Sequence, residues 1–189
     1  MKRIVLIFGL ISGVISSAMM FLTLPFMHTG AVNFKNGLVI GYTSIFLSML
    51  LVFFGIRTYR ENHGGTISFG RGVAVGLLIS LISCAFYVAS WEFIYYNVMP
   101  DFADKYASAE IQALREKGAN DAAIAAKKME MDQMKVMLAN PLINAAMTFI
   151  EPFPVGLVMT LVSAGILRRR QATKLHAPGP ETSTVTIQT

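Results

Sequence analysis

Residues 72–96 read GVAVGLLISLISCAFYVASWEFIYY, an apolar run in which Glu92 is the one charged side chain. A helix needs about 20 consecutive apolar residues to cross a hydrocarbon core about 30 Å thick, and this run is long enough. Three other runs of similar length lie at residues 4–24, 37–56 and 142–167. The sequence therefore predicts an all-α, polytopic membrane protein whose four transmembrane helices form one domain over residues 1–170.

The overall composition agrees with a lipid environment. The chain is 54% hydrophobic and only 14% charged, whereas about a quarter of the residues in a soluble domain are charged. Cys84 is the single cysteine and lies inside the third run, which excludes an intramolecular disulfide and a cysteine-based metal site. The loops contain no nucleophile motif and no carboxylate pair of catalytic spacing. We therefore expect no enzymatic activity, no cofactor and no metal ion.

The basic residues cluster at three places that share one side of a four-span protein. They are Lys2 and Arg3, then Arg57, Arg60 and Arg71, and finally Arg168, Arg169, Arg170 and Lys174. The positive-inside rule places such clusters in the cytoplasm. We therefore predict cytoplasmic termini and an outer, periplasmic segment 97–140, and we do not expect the net charge of +5 to reflect nucleic-acid binding.

The outer segment is the one long polar block between apolar runs. Pro100 suits the first turn of a helix, Gly118 suits a helix end, and Asn120 can cap a second helix. We predict an amphipathic helical hairpin at 100–140, which either docks at the membrane interface or packs against the bundle. Residues 171–189 are rich in Thr, Pro, Gly and Ser and are predicted to form a disordered cytoplasmic tail.

Three of the four runs contain two glycines four residues apart, a spacing that lets two helices approach closely. The first interpretation is helix packing inside one bundle, and the second is the interface of a homodimer. The glycines are Gly9 and Gly13, Gly37 and Gly41, and Gly72 and Gly76.

Two acidic residues, Glu92 and Glu151, fall within the predicted spans, both in the outer half of the membrane. Charge in a bilayer is costly, so such residues mark functional sites or find polar partners. Pro152 and Pro154 follow Glu151 and should kink the last span. A broken helix beside a carboxyl group also occurs in transporter binding sites. The sequence does not establish whether the two glutamates lie close together.

Several local features resemble one bacterial family. They are YRENHGGTISFG at residues 59–70, Tyr95-Tyr96-Asn97 followed by Pro100-Asp101-Phe102, and a last span that ends in Arg168-Arg169-Arg170. The chain resembles, over roughly residues 5–170, the four-span membrane proteins catalogued as domain of unknown function 4199. The resemblance implies a bacterial inner-membrane location and supplies no activity and no functional residues.

These observations favour a non-catalytic interaction or accessory protein of the inner membrane. Its partners would be the lipid bilayer and either another membrane protein or a second copy of the chain. The alternative is a small proton- or cation-coupled transporter that uses Glu92 and Glu151.

Overall fold

The computed structural model describes residues 1–28 and 34–168, without the side chains of residues 28, 34 and 35. The regular structure in this part of the chain is helical. The elements are α1 (Lys2–His28), α2 (Phe34–Glu61), α3 (Phe69–Phe93) with a π-helical turn (Ile94–Val98), α4 (Phe102–Glu116), α5 (Asp121–Leu138), α6 (Pro141–Ile150) and α7 (Pro152–Leu167). The predicted tail, 171–189, lies outside the described residues.

Four stretches of the described chain are long and apolar enough to cross a membrane: Lys2–Met27, Asn36–Glu61, Phe69–Val98 and Pro141–Leu167. The last stretch combines α6 and α7. This result confirms the prediction of an all-α protein with four helices of spanning length. Large apolar side chains also cover the outside of these helices, with Leu142 82% exposed and Ile166 68% exposed, a surface that suits contact with lipid.

The helices α2 and α3 form the middle of the bundle. The helices α1 and α7 each pack against both of them, and α2 also contacts α3 directly. Fully buried aliphatic side chains fill the shared interior, among them Val52, Ile56, Val75 and Ile79. The last span changes partners along its length, because α7 packs against α2 and α3 whereas α6 packs against α3 and α5.

Glycines set the closest approach of α1 to α3. A Cβ atom added to Gly9 would lie 2.8 Å from Cβ of Ile82, and one added to Gly13 would lie 2.7 Å from Cβ of Phe86. No L-residue larger than glycine fits at such distances without a shift. The side chains of α3 therefore lie directly over the glycines of α1 within one chain.

The contact between α3 and α7 is built in the same way. A Cβ atom added to Gly72 would lie 3.1 Å from Cβ of Ala164, and one added to Gly76 would lie 2.7 Å from Cγ2 of Thr160. Both glycines of this pair therefore face α7 of the same chain.

Side-chain hydroxyl groups form hydrogen bonds between neighbouring spans. The Ser12 hydroxyl on α1 donates to the carbonyl of Ser48 on α2 at 2.8 Å and lies 2.9 Å from the Ser83 hydroxyl on α3. The Ser90 hydroxyl on α3 donates to that of Ser17 on α1 at 2.8 Å. Such bonds satisfy polar groups that would otherwise be buried without a partner.

The helices α4 and α5 pack against each other, and α5 contacts α6. Phe102 of α4 meets Trp91 of α3. Gly118 adopts a positive φ of 73° between them, and Asn120 caps α5 by accepting a hydrogen bond from the Ala123 N–H at 2.9 Å. Across the two helices Lys135 donates a hydrogen bond to Asp104, which raises the pKa of the lysine above its ordinary value. The two helices pack against the bundle through a small hydrophobic cluster whose buried members are Tyr95, Ala103 and Leu138.

Candidate functional site

The last span breaks at Glu151, between α6 and α7. Pro152 starts α7, and Pro154 follows within its first turn. Neither proline has an N–H, so the carbonyls of Thr148 and Ile150 lose their usual helical donors. The Glu151 N–H donates to the Thr148 carbonyl at 3.3 Å instead. This local rearrangement coincides with the change of packing partners between α7 and α6.

A cavity of about 200 Å³ lies beside this break, between α1, α2 and α3. Its walls are mostly apolar and rich in sulfur and aromatic rings. Methionines line it from α1, and aromatic side chains come from α2, α3 and α4. These residues are Met19, Met20 and Met27, then Tyr42, Tyr87 and Trp91, and finally Phe102 and Tyr106.

Glu151 brings a carboxyl group to the cavity wall. The Tyr87 hydroxyl of α3 donates a hydrogen bond to its Oε2 atom at 2.9 Å. Among the described lining residues Glu151 has the one carboxyl group, and none is lysine, arginine or histidine. The cavity therefore offers one carboxyl oriented by one tyrosine, with no basic side chain from its described walls.

Gly41 explains why space remains at this level of the bundle. It lies one turn from Ser44 and Ile45, which are both buried, so its α-carbon faces the inside. A Cβ atom added there would meet nothing within 4 Å. Gly37 lies one turn earlier on α2 and also lines the cavity. The glycine pairs of α1 and α3 thus lie at close helix contacts, whereas the glycine pair of α2 lies beside an open space.

A polar contact holds the aromatic wall in place. The Trp91 Nε1–H donates to the Oδ1 atom of Asn144 at 3.1 Å, and the Asn144 side-chain amide donates to the carbonyl of Leu138 at 3.4 Å. Asn144 is fully buried. The Phe102 ring meets the Trp91 ring edge-on, with centroids 4.8 Å apart. The orientation of Trp91 is therefore determined by α6 and α4 together.

Glu92 lies outside this cavity. It is half-buried near the end of α3, and its Oε1 atom is buried with no hydrogen-bond partner among the described residues. The structure therefore brings Glu151 to the cavity and leaves Glu92 elsewhere, so the two candidate carboxyls do not form one site. Of the two prolines, Pro152 is buried inside the bundle and Pro154 is exposed on its side.

The sequence interpretation missed the aromatic wall and its support. Asn144 and Thr148 are polar residues four apart in an apolar span, and this spacing is the signal that could have marked them. Tyr87 and Trp91 are also four apart on α3, which places them on one face. Within the described ranges, no group of three or more His, Cys, Asp or Glu residues could hold a metal ion.

A protein-family model described as "Protein of unknown function (DUF4199)" matches residues 7–169 of the chain. No curated protein matches the chain, and no solved structure matches it.

Proposed function

The chain belongs to the family of proteins of unknown function DUF4199, and from its structure we propose a non-catalytic interaction or accessory protein of the bacterial inner membrane. The interacting surface is the α4–α5 segment, residues 102–138. We place this segment outside the membrane as a helical hairpin and both termini in the cytoplasm, because of the distribution of basic residues.

The observation that carries this proposal is that α5 exposes large apolar side chains on the side opposite its buried face. Met131 and Leu138 on one face are 3% and 9% exposed and pack inward. Met129 and Val136 on the other face are 65% and 75% exposed. They are seven residues apart, so they lie two turns apart on one face, with Asp132 and Gln133 between them. Two large apolar side chains exposed on an otherwise polar segment favour a protein contact.

The charge balance of the segment favours a protein over a charged surface as its partner. Residues 97–140 contain seven acidic and six basic side chains, and Lys127–Glu130 and Lys135–Asp104 form ion pairs within it. Helices that bind anionic lipid surfaces are rich in unpaired Lys and Arg. The segment therefore suits a neutral contact with the outer part of another membrane protein.

The test is crosslinking in native membranes, followed by purification of the tagged chain. A double variant with Met129→Lys and Val136→Lys should lose a specific crosslinked partner that the parent chain retains. Gln112→Lys adds one lysine at an exposed position of α4 and should retain that partner. Retention of every partner by the double variant would refute the proposal, and crosslinks confined to a second tagged copy would replace it with a homodimer.

A second candidate function is a proton- or cation-coupled carrier. The observation in its favour is the Glu151 carboxyl in the cavity, bonded to Tyr87 at the break between α6 and α7. Discontinuous helices beside an acidic group resemble the construction of transporter sites. The carrier hypothesis depends on Glu151 alone, since Glu92 does not line the cavity. Glu151→Gln should then abolish pH-driven flux in proteoliposomes, while Glu92→Gln should leave it unchanged.

A further inference from the structure

The cavity beside Glu151 has mostly apolar walls and a single carboxyl group. Methionine and aliphatic side chains line it from α1 and α2, and Tyr42, Tyr87 and Trp91 add aromatic rings. Aromatic rings attract cations through the negative charge of their faces. Together with the Glu151 carboxyl, they form the combination of groups that suits a positive charge attached to an apolar body.

We propose that this cavity binds a small organic cation, an ammonium or quaternary ammonium group with an apolar body, whose charge pairs with Glu151 between Tyr87 and Trp91. The apolar body packs against the methionine wall formed by Met19, Met20 and Met27. The proposal concerns the same site as the carrier candidate, but it rests on binding alone and not on transport.

The depth of Glu151 distinguishes such a ligand from a lipid headgroup. Glu151 lies about 15 Å along the helix from the start of α6 at 1.5 Å per residue. From this level the cavity extends toward Phe102 and Tyr106 of α4. A lipid headgroup remains at the membrane surface, whereas a compact ligand can enter the bundle as far as Glu151. Pairing with the carboxyl lowers the cost of a cation at this depth.

A metal ion suits the cavity less well than an organic cation. Calcium and magnesium prefer six or more oxygen ligands, and the described cavity wall supplies one carboxyl. The other oxygen atoms of the described side-chain wall belong to neutral hydroxyl groups, among them Ser16, Thr23 and Ser44, so a divalent ion would meet a single carboxylate.

The chain contains one tryptophan, so intrinsic tryptophan fluorescence reports on Trp91 in the cavity wall. The purified full chain is titrated with phenyltrimethylammonium, and binding of the tritiated compound is measured in parallel. We expect a saturable change in emission and saturable binding. The uncharged compound of the same shape, tert-butylbenzene, should displace the tritiated cation at least tenfold less well.

Three variants assign the site. Glu151→Gln should weaken binding at least tenfold, because the carboxylate charge is removed at constant shape. Gly41→Leu should abolish binding by filling the cavity, and an added Cβ there meets no atom within 4 Å, so the fold is retained. Glu92→Gln removes a carboxyl outside the cavity and should bind like the parent chain.

Equal binding of the cation by the parent chain and Glu151→Gln would overturn the proposal, as would equal displacement by tert-butylbenzene. Absence of saturable binding to the parent chain by both measurements would also overturn it. Binding without any flux in proteoliposomes would support this inference and remove the carrier candidate, so the two failures are distinguishable.

Discussion

At the scale of single residues, glycines and hydroxyl groups determine how closely the helices approach. Gly9 and Gly76 lie under side chains of a neighbouring helix, and Ser12 connects three spans by hydrogen bonds. Between transmembrane helices the surrounding lipid is as apolar as the side chains, so van der Waals contact and interhelical hydrogen bonds replace the hydrophobic effect as the source of association.

The first prediction compares two glycines in the α3–α7 pair. Gly76→Leu should destabilise the fold by about 1–3 kcal/mol, because the interface is already closely packed and an added side chain overpacks it. An added Cβ would lie 2.7 Å from Thr160 Cγ2. Gly165→Leu is the control, since its Cβ would meet nothing within 4 Å. The measurement is the midpoint of thermal unfolding in detergent, monitored by circular dichroism.

The same pair of variants separates intramolecular packing from a homodimer interface. If the glycines act within one chain, Gly76→Leu should lower the unfolding midpoint without a change in molecular mass by light scattering. An unchanged midpoint together with loss of a dimer would contradict packing inside the bundle.

At the scale of elements, the two-part last span determines the position of the cavity. The helix α7 stays with α2 and α3, and after the break at Glu151 the preceding helix α6 packs against α3 and α5. The prolines at positions 152 and 154 provide a cause, since they remove two backbone donors within one turn. The break therefore lies at the level of the cavity, which the α2 glycines also line.

The second prediction tests this cause. Pro152→Ala combined with Pro154→Ala restores the donors for the Thr148 and Ile150 carbonyls, so α6 should continue in the direction of α7. Spin labels at Val39 and Leu142, which are both exposed near the cavity end of their helices, measure the distance between α2 and α6 in a Cys84→Ala background. Double electron–electron resonance should show a shifted distance in the double variant.

A matched control is available in α1, which also contains a proline, Pro25. Pro25→Ala should leave the distance between Val39 and Leu142 unchanged. If the double variant retains the distance of the parent chain, then packing against α3 and α5 determines the bend, and the prolines only accommodate it.

At the scale of the whole molecule, arginines that flank three of the spans lie at one end of the bundle. Ile56 near the end of α2, Gly72 near the start of α3 and Ala164 near the end of α7 lie side by side. Ile56 is followed directly by Arg57, and Gly72 is preceded directly by Arg71. Arg168 lies one helical turn after Ala164. The α4–α5 segment packs at the opposite end, where the π-helical turn after α3 and the start of α6 lie.

The third prediction concerns orientation in the membrane. Reporter fusions after Gly64 and after Arg170 should report a cytoplasmic location, and a fusion at Gly118 should report the outside, because basic clusters remain on the cytoplasmic side during insertion. Alkaline phosphatase and a fluorescent protein form the complementary pair of reporters. Fluorescence from a fusion at Gly118 would show that the bundle has the opposite orientation.

The four helices of spanning length and the family could be predicted from local features of the sequence. An apolar run of about 20 residues partitions into a bilayer for local reasons, because each helix satisfies its own backbone groups wherever its neighbours lie. Local chemistry also predicted the helix ends near Gly118 and Asn120, since a positive φ and a side-chain cap depend on a few adjacent residues. The expectations on catalysis, partners and location remain predictions.

Which side chains meet could not be predicted from the sequence and depends on how the helices pack. Gly41 and Gly76 are each the second glycine of a pair four residues apart. Gly41 nevertheless faces a cavity, whereas Gly76 lies under Thr160. Glu92 and Glu151 have the same chemistry, yet Glu151 alone lines the cavity beside Tyr87. The physical reason is that the rotation of each helix and the identity of its neighbours result from packing over all the spans together. No single apolar run contains that information.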